Sequence, residues 1–265
     1  MVNITAEHIY NFETHGVELI KGLFKDYIDL IREGIEFNME NPGPYAAENL
    51  KTGEHGRFFD DYCNWLRIPE FAQVVRKSPA AEIAARSMRS TSAQFFHDHV
   101  LVKEGETSKP TPWHQDGPYY FVEGAQTVSM WLPLDRVKDA SLRLLAGSHK
   151  WQKMVRPVSW ADDSDFYDSD ADWSPVPDPD TDDANYRILE WEMAPGDLVL
   201  FDYRTVHGAR GNLSPSRRRV LSLRWLGDDA RYVERPGRTS PPYPGHQMVA
   251  GQRLREDWFP MVWKT

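Results

Sequence analysis

Residues 92–103 read SAQFFHDHVLVK, a run rich in β-branched and aromatic side chains, the composition that fits a pleated and largely buried surface. Five further runs of the same kind follow: AQTVSMWLPL at 125–134, SLRLLA at 141–146, YRILEWEMA at 186–194, DLVLFDY at 197–203 and RVLSLRWL at 219–226. Short strands separated by Gly, Pro and Asp predict an antiparallel sandwich or barrel.

Upstream the periodicity changes. Val17, Leu19, Ile20, Leu23, Phe24, Tyr27, Ile28, Leu30 and Ile31 recur at spacings near three and four, which predicts an amphipathic helix over residues 15–37, ending before Asn41-Pro42-Gly43-Pro44. A second helical region is expected over about 69–88, with Ser78-Pro79 as stop and restart. Helices first and strands afterwards give an α+β, mainly β fold. At 265 residues the chain is expected to form one domain, with a helical part about 1–90, a barrel core about 91–227 and a C-terminal extension about 228–265. Residues 159–183, dense in Asp and Pro, read as a loop insertion on the surface rather than a lid. Their aspartates lack the spacing of an EF-hand.

Composition narrows the function. A net charge of −9 opposes attraction to polyphosphate backbones, so nucleic acid is not an expected partner. No stretch approaches the roughly 18 apolar residues that span a bilayer, and no membrane partner is expected. MVNITAEHIYNFETHG has neither basic flank nor apolar run, and a single cysteine, Cys63, fits a reducing compartment, so the expected location is cytoplasmic. The expected partner is a small-molecule substrate.

Pro112-Trp113-His114-Gln115-Asp116-Gly117 places an imidazole and a carboxylate two positions apart, on one face of a strand if that strand continues. Val206-His207-Gly208, after the strand DLVLFDY, offers a third ligand. Two histidines and a carboxylate make the facial triad of non-haem iron(II) oxygenases, although zinc accepts a similar set. Arg218, eleven positions past His207, tips the balance. A planar guanidinium binds a carboxylate bidentately, and 2-oxoglutarate needs its C5 carboxylate anchored while its 2-oxo acid end chelates iron. In the run Arg217 to Arg219, alternation sends Arg218 to the face opposite its neighbours.

The chain resembles the phytanoyl-CoA dioxygenase family of Fe(II)/2-oxoglutarate-dependent oxygenases. The resemblance rests on FFHDHVLVKEG, PTPWHQDGPYYF, VSMWLPLDRV, LRLLAGSHK, MAPGDLVLFDYRTVHGARGN and RRRVLSLRW, in that order over residues 91 to 226. It implies a double-stranded β-helix, a jelly-roll barrel with helices packed on one side. It further implies iron ligation by His114, Asp116 and His207, an Arg218 anchor for 2-oxoglutarate, and a cosubstrate pocket lined by His99, Lys103 and Trp131. The expected reaction uses O2 and 2-oxoglutarate, hydroxylates an unactivated C–H bond of a small organic metabolite and releases succinate and CO2. Ala146, Asp139-Ala140 and Ala209 depart from the family's commonest residues. Asp116 matters within the resemblance, because related halogenases replace this carboxylate with a small residue to admit chloride.

His97 and His99 form a rival pair, but with Phe95 and Leu101 expected on the same strand face they read as barrel-lining side chains. His149 reads as structural, and His55 and His246 as solvent-exposed. Tyr119, Tyr120, Phe121 and Arg143 are candidate substrate contacts, and no Lys/Arg cluster suits the phosphates of coenzyme A. Two other readings stay open: a zinc- or manganese-dependent cupin-like isomerase or hydrolase, and a catalytically silent ligand-binding barrel.

Overall fold

Two antiparallel sheets share one core in the computed structural model, which describes residues 4–160, 164–168, 172–181 and 185–265. The helices are α1 (Ala6–His15), α2 (Ile28–Glu40), α3 (Pro69–Lys77) and α4 (Ala80–Ser87). The strands are β1 (Val17–Ile20), β2 (Ala47–Glu48), β3 (Phe58–Tyr62), β4 (Ser92–Lys103), β5 (Thr111–His114), β6 (Val122–Glu123) and β7 (Thr127–Pro133). They continue with β8 (Leu142–Leu145), β9 (Ile188–Leu189), β10 (Leu198–Phe201), β11 (His207–Ala209), β12 (Arg218–Leu226), β13 (Arg231–Tyr232) and β14 (Met261–Lys264). The large sheet runs β1-β10-β7-β12-β4-β3-β2, with β14 beside the N-terminal part of β4; the small sheet runs β5-β11-β8-β9. This is the jelly-roll arrangement expected from the sequence, with the two sheets left open at their edges.

Alternation along β12 divides the molecule into two layers. Leu221, Leu223 and Trp225 point to the helices and join Ile31, Ile35, Phe71, Val74 and Ile83 in the larger core. Val220 points the other way, into a core shared with Trp131 and Phe201 of the large sheet and Leu142 and Leu144 of the small one. Each fully buried aliphatic or aromatic side chain contributes about 1.5–3 kcal/mol, so the helices stay on one face only. No helix among the described residues is long and apolar enough to cross a membrane.

The N-terminal part is less helical than expected. Val17–Ile20 is not the start of a helix but a strand paired with Phe201–Leu198. Gly16, left-handed at φ 74°, ends α1 just before it, and a Cβ there would collide with the His149 ring. Of the expected 15–37 helix only the part from 28 onward is α-helical in one piece, in a helix, Ile28–Glu40, that runs on past 37. Thr5 caps α1, a helix with no expectation behind it, through a reciprocal hydrogen-bond pair with His8. β3, FFDDY, was hidden by its aspartates; it pairs with β4, and Asp60 and Asp61 find partners in Asn49, His99 and Asn38. Helices α3 and α4 lie where the Ser78-Pro79 break puts them, Pro69 occupying the first turn of α3.

A register shift between Arg224 and Trp225 pairs Arg224 with His97 but Trp225 with Phe95. Phe95 is thereby turned to the helix side, edge-on to Trp225 at 4.8 Å, and does not share the face of His97, His99 and Leu101 as strict alternation predicts.

Candidate metal centre and adjoining cavity

His114 ends β5, His207 opens β11, and the antiparallel register sets them opposite each other with ring centroids 4.2 Å apart. His114 Nδ1 donates to Pro112 O at 2.8 Å and His207 Nδ1 to Thr205 O at 2.9 Å. A carbonyl only accepts, so both Nδ1 atoms carry protons and both Nε2 lone pairs are free. Burial, reinforced by His207, pushes the His114 imidazolium down to about 3, and burial lowers His207 as well. Both rings are neutral near pH 7, as metal ligation requires.

Asp116 reaches them by a turn, not by the strand alternation that the spacing suggests. β5 stops at His114, and Asp116 takes right-handed helical angles as the cap of a short turn at Gly117–Tyr119. Its two oxygens have separate duties. Oδ2 accepts from Ser129 Oγ at 2.6 Å and lies 3.0 Å from Arg224 Nε. Oδ1 lies 4.0 Å from His114 Nε2 and 3.9 Å from His207 Nε2, with Arg224 Nη2 at its limit of 3.5 Å. Burial alone would raise this carboxyl, but Arg224, His207 and His114 together hold it well below the usual carboxylate range. One donor atom from each of His114, Asp116 and His207 falls within 4.8 Å of the others, a set that can hold a metal ion with positions left open.

Arg224 had no expectation attached. It is buried on the inner face of β12, its Nε–H donates to Tyr120 Oη at 2.9 Å, so that its approach to Asp116 Oδ2 is an ion-pair contact, and its Nη1 meets Ser222 Oγ. The signal was present in the sequence, since 218, 220, 222 and 224 share a strand face, but a guanidinium in RVLSLRWL does not declare whether it turns to core or solvent.

Arg218 is inward and buried, whereas Arg217 and Arg219 reach Glu36, Glu104 and Asp135 on the other side. Its Nη1 donates to Ala140 O at 2.7 Å, its Nε has no partner, and no carboxylate among the described residues is paired with it. Burial alone lowers it to about 10. Lys103 is its cross-strand neighbour, also buried, with Nζ on Lys109 O at 2.8 Å and 4.4 Å above the Phe58 ring. Trp131 lies under the Arg218 guanidinium at 5.7 Å. A buried guanidinium with only a carbonyl partner, over an aromatic floor and beside a lysine whose ammonium is pushed well down by burial and by Arg218, is suited to an anion from outside the chain, which would favour the protonated amine again.

A cavity of about 270 Å³ opens over His114 and Asp116. His99 lines it with Nε2 2.9 Å from Asp60 Oδ2, and Trp160 stacks on His99 at 6.1 Å. Tyr119 and Tyr120 reach the lining as expected of substrate contacts, but Phe121 and Arg143 do not. Phe121 packs edge-on to Phe96 at 5.2 Å in a separate core, and Arg143 is spent on Asp180 and Glu190 above the Trp113 ring. Residues 159–183 are not merely surface: Ser159, Trp160 and Phe166 form part of the wall. Residues 161–163, 169–171 and 182–183 of that stretch lie outside the described residues. From the N-terminal part Tyr45 and Tyr62 contribute a nearly parallel pair at 5.0 Å, and from the C-terminal extension come Ser240 and Pro241. His246 is half-buried against Tyr232 at 4.8 Å rather than exposed, and His149 is structural, its Nε2 3.3 Å from Glu13 O.

The sequence model of the Phytanoyl-CoA dioxygenase (PhyH) family matches residues 12–220. Ectoine dioxygenase of Stutzerimonas stutzeri (strain A1501) is 26% identical over 231 residues, covering 82% of this chain and 75% of its own. Among solved structures, the non-heme alpha ketoglutarate dependent carbocyclase SnoK from nogalamycin biosynthesis superposes with a TM-score of 0.75 at 22% identity, over 98% of this chain and 97% of that one. EctD from S. alaskensis with 2-oxoglutarate and 5-hydroxyectoine gives 0.69 at 18% identity, over 94% and 85%. At these identities the two structures speak for the fold.

Proposed function

The chain belongs to the phytanoyl-CoA dioxygenase family, and from that membership we propose that it is an Fe(II)- and 2-oxoglutarate-dependent oxygenase that hydroxylates a C–H bond of a small organic molecule. In the balanced reaction O2 and 2-oxoglutarate are consumed, one oxygen atom enters the substrate as hydroxyl, and the other leaves in succinate as CO2 departs. The observation that carries this reading is the buried, carboxylate-free guanidinium of Arg218 beside Lys103. A zinc hydrolase built on the same three ligands has no use for such a pair, whereas a dicarboxylate cosubstrate needs it for its distal end.

The donor set fits iron(II): two neutral imidazole nitrogens fixed by backbone carbonyls and one carboxylate with an oxygen turned toward them. Bound iron supplies the capacity to couple cosubstrate decarboxylation to C–H oxidation. The protein's own work is placement. His114, Asp116 and His207 hold the ion, Arg218 with Trp131 and Lys103 orients the cosubstrate, and Trp160 and the tyrosines keep water from the reacting carbon. Similarity to ectoine dioxygenase supports a small metabolite as substrate.

Anaerobic titration with Fe(II) and then 2-oxoglutarate tests the reading. A metal-to-ligand charge-transfer band that needs both components, and 2-oxoglutarate-dependent succinate formation on admitting O2, are expected. Zinc in the purified protein with neither signal after exchange would overturn it in favour of a hydrolytic or silent barrel.

A further inference from the structure

Asp116 is carried by backbone that has no sheet to lean on. β5 ends at His114, and residues 117–121 form a buried turn leading into β6, so their carbonyls need donors from elsewhere in the chain. All five find one. Val233 N donates to Phe121 O at 2.8 Å, Ser240 N to Tyr119 O at 3.0 Å and Tyr167 Oη to Pro118 O at 3.1 Å. The other two carbonyls share one side chain: Arg235 Nε donates to Tyr120 O at 2.7 Å and Arg235 Nη2 to Gly117 O at 3.1 Å. Tyr120 N also meets Gly117 O at 3.1 Å within the turn.

The Arg235 side chain is only 8% exposed, and Glu123 Oε1 holds its Nη1 at 2.6 Å. Its planar fork reaches both ends of the turn, and a rigid donor pair on two carbonyls fixes their separation as a single-point donor cannot. The turn starts from Asp116, whose own carbonyl accepts from Tyr119 N at 3.1 Å, so slack at Gly117 is passed directly to the carboxylate's backbone. Ser129 and Arg224 orient the Asp116 carboxylate, and Arg235 holds the main chain from which it hangs. Val233, Arg235 and Ser240 all lie in the C-terminal extension, beyond residue 220, where the family match ends.

We infer that Arg235 is a positioning residue of the metal centre: from the C-terminal extension it clamps the turn that carries Asp116, and so sets how tightly His114, Asp116 and His207 hold a divalent ion. This rests on those three residues being the metal site, as proposed above. Charge and geometry predict opposite signs. A fixed cation repels a nearby dication, so on charge alone removing the guanidinium tightens metal binding. Loss of the clamp weakens it, as the loss of other outer contacts to metal ligands does.

The test compares Arg235→Gln, Arg235→Lys and Arg231→Gln with the parent, each as the full chain. Arg231 belongs to the same extension, but its guanidinium donates to Asp228 O and Ala230 O, away from the turn. Anaerobic Fe(II) titration against a competing chelator is expected to show about tenfold weaker binding in Arg235→Gln, a smaller loss in Arg235→Lys and parent affinity in Arg231→Gln. In the metal-free chain, deuterium exchange over residues 115–121 speeds up several-fold in Arg235→Gln and stays at the parent rate in Arg231→Gln. At saturating Fe(II) the 2-oxoglutarate midpoint is unmoved, because Arg218 and Lys103 are bonded to Ala140, Lys109 and Arg210 rather than to the turn. Fe(II) bound by Arg235→Gln as tightly as by the parent, or tighter, overturns the inference, and so does an equal loss in Arg231→Gln. If Arg235→Gln does not fold, Arg235→Lys decides by the same two readouts, and parent values in both overturn it. A parent chain that binds Fe(II) but gives no charge-transfer band with 2-oxoglutarate sinks the oxygenase reading and leaves the clamp standing, whereas a parent that binds neither Fe(II) nor Zn(II) sinks the metal site and the clamp together.

Discussion

Arg224 Nε lies 3.0 Å from Asp116 Oδ2, the carboxylate oxygen that is not turned to His114 and His207. Ser129 Oγ donates to that same oxygen, and Arg224 Nη2 reaches Oδ1 at 3.5 Å, so the carboxylate is oriented, with Oδ1 turned to the two imidazoles, before any ion arrives.

Arg224→Gln is expected to weaken Fe(II) binding by about tenfold or more, because an unfixed Asp116 must be oriented at the moment of binding. Arg224→Lys should recover part of the loss, and anaerobic metal titration alongside a melting curve separates placement from unfolding. Unchanged or tighter iron binding would show that the arginine contributes only repulsive charge.

Arg218→Lys is expected to raise the 2-oxoglutarate concentration needed for half-saturation by roughly thirtyfold, about 2 kcal/mol, since an ammonium cannot reproduce the planar two-point contact. Fe(II) affinity should be unmoved. A cosubstrate titration of the charge-transfer band gives both numbers, and an unaltered midpoint would refute the anchor role.

Trp160→Ala opens the wall beside His114, whose ring it meets at 5.0 Å. The charge-transfer band should survive, while succinate formed without added substrate rises several-fold as water gains access. If uncoupled turnover stays at the parent rate, Trp160 is not a water barrier.

Glu18, opposite Leu200 on the edge strand β1, has its carboxyl pushed up to about 7 by burial and, to a smaller extent, by Glu7, against a lowering hydrogen bond from Asn11. The folded chain therefore keeps a proton between pH 4.5 and 7 that the unfolded chain has released. This contribution is present below pH 4.5 and is lost as pH rises through 7. Glu18→Gln should gain roughly 1–2 kcal/mol over the parent at pH 8 and little at pH 4.5. Urea midpoints at the two pH values check this, and an equal gap at both would refute it.

The sequence by itself determined what neighbouring residues can encode. Strand composition from residue 92 onward made the β class readable, the Ser78-Pro79 break separated α3 from α4, and alternation through Arg217, Arg218 and Arg219 turned the middle guanidinium inward. The His114, Asp116 and His207 set was legible because it lies in two short motifs, one holding His114 and Asp116 and the other His207.

Other features depended on contacts between segments far apart in the chain. Val17–Ile20 has helical periodicity, yet Gly16 breaks the helix and pairing with β10 fixes a strand. FFDDY became β3 only because Asn38, Asn49 and His99 satisfy its aspartates. Phe95 changed faces at a register shift that periodicity does not contain. The cavity wall joins Tyr45, Tyr62, His97, Trp160 and Ser240, drawn from five separate segments, and Arg224 meets Asp116 from a different strand. Local propensity and period follow from adjacent residues, whereas the partner of a buried charge or the gap over a metal site depends on which segments the fold brings side by side.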